Sequence, residues 1–221
     1  EILKFNWLIV WNSILVSFLT SLCCVICSIL ISLLIVKYNN RIGKLAEKIS
    51  YVAFGLPGIA IALGVIFVGI KLISPLYQTL GLLILGYLIL FLPVTLGAVK
   101  SSMLQINPHI EEASRSLGFK MWYTIFKITI PIITSGILAG GILVFMLTMK
   151  ELPATMILSP LGFQTLATTI WSYSSEAFFA KSAFPAMLLV LISGPFTAYL
   201  AFKGYQTYSI SEKFTEESID V

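Results

Sequence analysis

Side chains able to make or break covalent bonds are scarce in this chain, and they do not cluster. His109 is its one histidine. Cys23, Cys24 and Cys27 fall inside a single apolar run, with Cys24 and Cys27 on one helical face, and thiols in such a run act as small apolar filler. No Gly-rich loop leads into Lys-Ser or Lys-Thr, so nothing here cradles nucleotide phosphates. No carboxylate pair sits mid-span as a proton relay would. Catalytic residues, a metal site and a cofactor are therefore not expected in this chain. What its polar residues can do is recognise a partner. Between Asn107 and Gly118 runs Asn-Pro-His-Ile-Glu-Glu-Ala-Ser-Arg-Ser-Leu-Gly. Asn107 can cap a helix whose first position suits Pro108. Glu111 and Glu112 sit in the first turn, where the helix dipole favours them, and Gly118 is a natural stop. Glu111 and Arg115 form an i,i+4 pair. At 1.5 Å per residue the helix is about 15 Å long. Ile110, Ala113 and Leu117 line one side, followed by Phe119 and Trp122. Such a helix fits a groove in a partner protein; the other reading is a helix lying on lipid.

The elements that must hold this segment are membrane spans. Of the 221 residues, 58% are hydrophobic and 11% charged, with a net charge of +4 and a mean hydropathy of +0.97. Soluble domains carry about 25% charged residues, and a soluble fold could not hide this much apolar surface. A soluble enzyme, a disordered chain and a disulfide-rich secreted domain are excluded. Spanning helices need about 20 apolar residues. They are expected near Trp7 to Val36, Ile49 to Ile70, Leu76 to Val99, Ile128 to Thr148 and Ala183 to Phe202. Strand alternation is absent over these lengths, against a β-barrel. The expected fold is all-α: a polytopic membrane helical bundle with about five spans and a cytoplasmic helix. It is read as a single domain over 1–221, with the partner-binding loop at about 101–127 and an external or re-entrant segment at about 150–182.

Leu152 to Ser175 carries no charge but holds Pro153, Pro160, Gly162 and many Ser, Thr and Gln. Pro and Gly break a regular span, and the polar groups would be costly against lipid. A short re-entrant or interfacial segment followed by an amphipathic helix around Thr165 to Ser174 is expected; the rival is a sixth span. Basic residues crowd two loops, Lys37, Arg41, Lys44 and Lys48 in one and Lys100, Arg115, Lys120 and Lys127 in the other, with Lys203 flanking the last span. An odd number of spans puts all of these on the cytoplasmic face, with the amino end outside. Lys150, Glu151 and Pro153 would then lie at the outer end of the fourth span, where they line a gate or path, or are end charges reaching the interface.

The loop resembles the EAA signature of binding-protein-dependent ABC transporter permeases. That pattern is Glu-Ala-Ala, three residues, Gly, nine residues, Ile-x-Leu-Pro. Here it reads Glu112-Ala113-Ser114, then Gly118, then Ile128-Thr129-Ile130-Pro131. All spacings match; Ser114 replaces the second Ala and Ile130 replaces Leu. Trp11-Asn-Ser resembles the start of the family's first core helix, and Gly55-Leu-Pro-Gly58 its Pro-Gly break. Lys150-Glu-Leu-Pro-Ala-Thr155 and Gly162-Phe-Gln-Thr-Leu-Ala-Thr168 look like the ferric-iron branch.

The resemblance implies that the loop is a coupling helix docking into a separate cytoplasmic ATPase subunit through Glu112, Ala113, Ser114, Arg115, Leu117, Gly118 and Phe119. ATP would be used by that partner, with no cofactor in this chain. The other implied partners are a second permease half, an external substrate-binding protein and membrane lipid, with no nucleic acid. The implied place is the bacterial cytoplasmic (inner) membrane, multi-pass, and the implied cargo is ferric iron. Thiamine, sulfate, phosphonate or polyamine permeases share the architecture, and a non-transporting membrane scaffold is a further alternative. The chain opens on Glu1 with no signal-peptide pattern. The expectation is a processed or trimmed chain, or the second half of a tandem permease, the alternative being a separately coded half.

Overall fold

The computed structural model describes residues 5–107, 109–110, 114 and 116–219, with side chains described up to Phe202. Glu112, Ala113 and Arg115 lie outside the described residues, as do Pro108 and Glu111.

Helix α1 (Leu8–Ser32) continues through a π turn at Leu33–Lys37 and stops in the polar run that follows. Asn39 there takes a positive φ of 48°. Asn40 then caps α2 (Arg41–Phe54), its side chain accepting from the Ile42 amide at 2.8 Å. The single span expected from Ile49 to Ile70 is instead two helices, α2 and α3 (Gly58–Lys71), bent by 119° across Gly55-Leu-Pro-Gly58. Pro57 has no N–H and a fixed φ, so it cannot continue α2 but can start α3. Helix α4 (Leu80–Leu104) is straight enough to be one span despite Pro93. The fourth span also starts earlier than expected and is broken: α5 (Met121–Ile132) meets α6 (Thr134–Lys150) at 67°. Pro131 explains the break, since its ring removes a helical hydrogen bond and crowds the Lys127 carbonyl. A π turn at Ile125–Thr129 takes up the strain. Short helices α7 (Pro153–Leu158) and α8 (Leu166–Ser175) follow, then α9 (Phe179–Ile219). Among the described residues three helices are long and apolar enough to cross a membrane, and up to five spans result if each bent pair counts as one.

Helix α4 is the axis of the bundle. Residues of α2 and then α3 meet it in reverse order of sequence. Lys100 Nζ is 2.5 Å from Glu47 Oε1. A Cβ at Gly97 would stand 3.3 Å from Tyr51 Oη, one at Gly58 3.9 Å from Leu90 Cδ2, and one at Gly69 2.9 Å from Leu82. The broken pair α2–α3 therefore follows α4 from one end to the other, with its break opposite the middle of α4. Helix α6 also runs antiparallel to α4, with Gly136 beside Ala98 and Ser102, and Gly140 beside Thr95.

In lipid there is no hydrophobic gain from moving an apolar side chain off hydrocarbon, so close contact must come from small residues and interhelical hydrogen bonds. The buried face of α1 obeys this: Ser13, Ser17, Thr20, Cys24, Ser28 and Ser32 turn inward. Phe18, Leu22, Ile26 and Leu30 face outward. Ser21 Oγ donates to the Gly141 carbonyl at 2.7 Å. All three cysteines are free thiols, with Cys24 buried, as expected of filler. A Cβ at Gly136 would meet the Ala98 carbonyl oxygen at 2.7 Å and press on Ser102. Backbone cannot swing aside, so Gly136→Ala should cost about 1–3 kcal/mol. A lower melting temperature in detergent checks it; Gly64→Ala, which meets nothing, should leave melting unchanged.

With α2–α3 counted as one crossing and α4 as a second, the α1–α2 turn and the α4–α5 loop share one side of the membrane, the basic one. Asn40 is a helix cap, so an exposed neighbour is the better probe. In a chain whose native cysteines are replaced, Lys44→Cys should resist an impermeant thiol reagent in intact cells. Labelling from outside would invert this topology.

Candidate functional site

The loop after α4 folds as its caps dictate. Asn107 Oδ1 accepts the His109 amide at 3.0 Å, which holds the start of a helical segment seen at His109, Ile110, Ser114 and Ser116. Gly118 ends it with φ +84°. The Phe119 N–H reaches back to the Ser114 carbonyl at 3.3 Å, the long closing bond of a Schellman cap. Space is not what selects glycine here: a Cβ at Gly118 would meet nothing within 4 Å. Only the left-handed backbone demands it.

Ser114 stands where the EAA pattern has alanine, and it is buried rather than offered to a partner. Its Oγ lies 2.9 Å from Thr124 Oγ1, itself buried on α5. This bond clips the segment to α5, and the sequence contains no signal for it. Leu117 and Phe119 face outward, Leu117 at 76% exposure. Phe119 stacks on Tyr123, centroids 4.6 Å apart. The loop's described residues thus divide into a clip (Ser114), a hinge (Gly118) and an exposed apolar contact (Ile110, Leu117, Phe119). Beside it, the Lys100–Glu47 pair ties α4 to α2 at the base of the loop, with the two side chains 27% and 18% exposed.

The second set of nominated residues sits elsewhere than expected. Sequence reasoning placed Lys150 and Glu151 together at an outer helix end. The structure separates them and sets Glu151 deeper. Lys150 lines a cleft of about 290 Å³ with Leu152, Trp171, Ser174 and Leu189. The Glu151 carboxylate turns the other way, and its Oε1 lies 3.3 Å from where a Gly58 Cβ would be. Glu151 Oε1 also accepts the Ala154 amide at 3.1 Å, and its backbone carbonyl accepts from Thr155 Oγ1 at 2.5 Å. Tyr87 Oη lies 2.5 Å from the same Thr155 oxygen. Tyr87 and Leu90 are seven and ten residues into α4, or about 10 and 15 Å below its amino end. Pro153 begins α7, as its missing N–H allows. Ala154, Thr155 and Leu158 are buried, with Leu158 against Gly86. Helix α7 thus plugs the bundle core rather than lying on its surface. The reason is local: Glu151 and Tyr87 satisfy the polar groups that would otherwise keep this turn in water.

Helix α8 closes over the other side. Thr165 and Thr168 form a reciprocal capping box. Ser13 Oγ accepts the Leu166 amide at 2.8 Å, and Asn12 Nδ2 donates to the Gln164 carbonyl at 3.1 Å. These bonds join α1 to a segment more than 150 residues away, which composition cannot announce. Among the described residues no three of His, Cys, Asp and Glu come together as a metal site would require.

Residues 24–202 match the family of binding-protein-dependent transport system inner membrane components. Among curated proteins, the chain is similar to the Fe(3+)-transport system permease protein FbpB 2 of Haemophilus influenzae, 33% identical over 183 residues. That match covers 83% of this chain and 36% of the relative. It is also 26% identical over 157 residues to the putative 2-aminoethylphosphonate transport system permease protein PhnV of Salmonella typhimurium, covering 71% of this chain and 59% of the relative. The chain therefore spans only about a third and three fifths of these two proteins. Its fold matches a chain of the MetNI methionine ABC transporter in an inward-facing conformation. The TM-score is 0.70 at 15% identity, covering 88% of this chain and 94% of that one.

Proposed function

This inner-membrane chain belongs to the family of binding-protein-dependent transport system inner membrane components, a family of permeases rather than enzymes, and from that premise we propose that it is the permease subunit of an ABC importer. It would form half of a translocation path and receive work from a separate ATPase. ATP is then the partner's substrate, and this chain needs no cofactor. The observation that carries the coupling role is the Gly118 turn, which ends the loop helix in a left-handed cap and leaves Leu117 and Phe119 bare for a partner. Glu112, Ala113 and Arg115 are assigned to the same contact by their place in the EAA pattern. Clipped by Ser114 to α5, the segment would pass a push from the ATPase into α5 and α6, and through the Lys100–Glu47 pair into α2. Glu151, set against the α2–α3 break, is the path residue of this proposal, with Pro153 fixing the plug that carries it and Lys150 lining the neighbouring cleft.

The proposed cargo is ferric iron, delivered by an external binding protein. Support comes from the greater identity and coverage of the Fe(3+)-system relative over the phosphonate-system one. That relative's greater length is also consistent with two permease halves in one polypeptide. Vesicles holding the complete assembly should take up radiolabelled Fe(III), with ATP and the loaded binding protein both required. Uptake of 2-aminoethylphosphonate instead would keep the permease and replace the cargo. Failure of the chain to co-purify with any ATPase subunit would remove the permease reading itself.

A further inference from the structure

Helix α5 carries an aromatic face that the coupling role does not use. Thr124, Ile125 and Thr129 turn inward, and Ile125 packs with Leu33, Val99, Met103 and Ile133. Leu33 follows the last turn of α1, and Val99 and Met103 lie near the end of α4, so α5 lies at the depth where both helices leave the bundle. It meets α6 at 67°, well off the direction of the spans. On its outward side Trp122 is 72% and Phe126 60% exposed, stacked with centroids 6.3 Å apart. Lys120 and Lys127 bracket them, both exposed. Tyr38 Oη donates to Met121 Sδ at 3.0 Å, which brings the α1–α2 turn, with Arg41 next along it, beside the start of α5. The acid on α2, Glu47, is held by Lys100.

We propose that this elbow is a binding site for anionic phospholipid of the basic-side leaflet. Trp122 and Phe126 would enter the acyl boundary, and Lys120 and Lys127 would engage the headgroup phosphate. Three observations choose lipid as the occupant. Tryptophan beside lysine at the foot of a span is the composition of a membrane interface. Among the described residues the charges at the elbow, Lys120 and Lys127, are of one sign and complement an anionic headgroup. Exposed Ile132 at the end of α5 and Leu138 on α6 extend the apolar surface of the elbow toward the span, with only the small polar side chains of Thr134 and Ser135 exposed between them. The Phe119–Tyr123 stack lies about 100° further round the helix and belongs to the coupling contact.

The test uses the full chain, with Trp7, Trp11 and Trp171 changed to Phe so that Trp122 alone emits. It is placed in bilayers of phosphatidylcholine or of phosphatidylcholine with phosphatidylglycerol. Brominated lipid should quench Trp122, and brominated phosphatidylglycerol should compete about 25-fold better than brominated phosphatidylcholine at equal mole fraction. Each lysine contributes about fivefold to such a preference, so the K120Q/K127Q double variant should bring it close to one while quenching persists. Emission quenched by aqueous acrylamide but not by brominated lipid would overturn the proposal. So would equal quenching by the two headgroups, or loss of lipid quenching when the ATPase subunit binds, which would return Trp122 to the protein interface.

Discussion

Gly118→Val should leave the chain folded and inserted yet cut uptake about tenfold, while ATP hydrolysis by the bound partner continues. A β-branched residue at φ +84° costs about 1–2 kcal/mol, which is a factor of about 5–30 in the population of the native turn. No atom lies near enough to clash, so the loss is conformational and local. The Phe119–Ser114 bond opens, and Leu117 and Phe119 no longer present one surface. Gly118→Asn is the internal control, because asparagine visits the left-handed region. It should retain most of the uptake. Side-by-side transport and ATPase rates in reconstituted vesicles decide the matter: normal transport by the valine variant, or equal loss in both variants, would remove the hinge from the mechanism.

Glu151→Gln should lower transport roughly fivefold with unchanged melting temperature and unchanged ATPase binding. Glutamine keeps a carbonyl oxygen for the Ala154 amide, so α7 stays seated through that bond and through Tyr87 and Thr155. What it removes is charge, beside a helix break opposite the middle of α4. A loss of about 1 kcal/mol in what that charge contributes to the path corresponds to about fivefold. Glu151→Leu removes the acceptor as well. It should destabilise by about 1–3 kcal/mol through the stranded amide, visible as a lower melting temperature. If glutamine lowers stability as leucine does, or leaves uptake untouched, Glu151 is a structural cap and not part of the path. The ATPase contact is on another part of the molecule, so the binding measurement separates a path defect from a coupling defect.

Hydrophobicity settles the class of this protein before any coordinates. A chain 11% charged has no soluble solution, and runs of twenty apolar residues have only one inexpensive conformation in lipid. The caps at Asn107 and Gly118, the filler role of the cysteines and the capped helix after Thr165 were equally legible. Each depends on residues within a turn of one another. The spacing from Glu112 to Pro131 carried the family resemblance for the same reason, although Glu112 itself lies outside the described residues.

Contacts distant in sequence were not legible. The bends at Gly55-Leu-Pro-Gly58 and at Pro131 were read as features within single spans, since a proline states that a helix is weakened but not how far its halves turn. Packing against α4 decides that angle. Ser114 looked like a conservative stand-in for alanine, and only its approach to Thr124 turns it into a clip. Glu151 looked like an end charge because it follows Lys150 in sequence. Its depth depends on α7 folding back, which needs Tyr87, 68 residues away from Thr155, to satisfy the turn. Composition and short-range chemistry determined the membrane class, the apolar runs and the caps of the loop helix, because those energies are local. Where each polar group sits relative to the bundle was decided by tertiary structure, because a buried hydroxyl or carboxylate takes its position from whichever distant partner can pair with it.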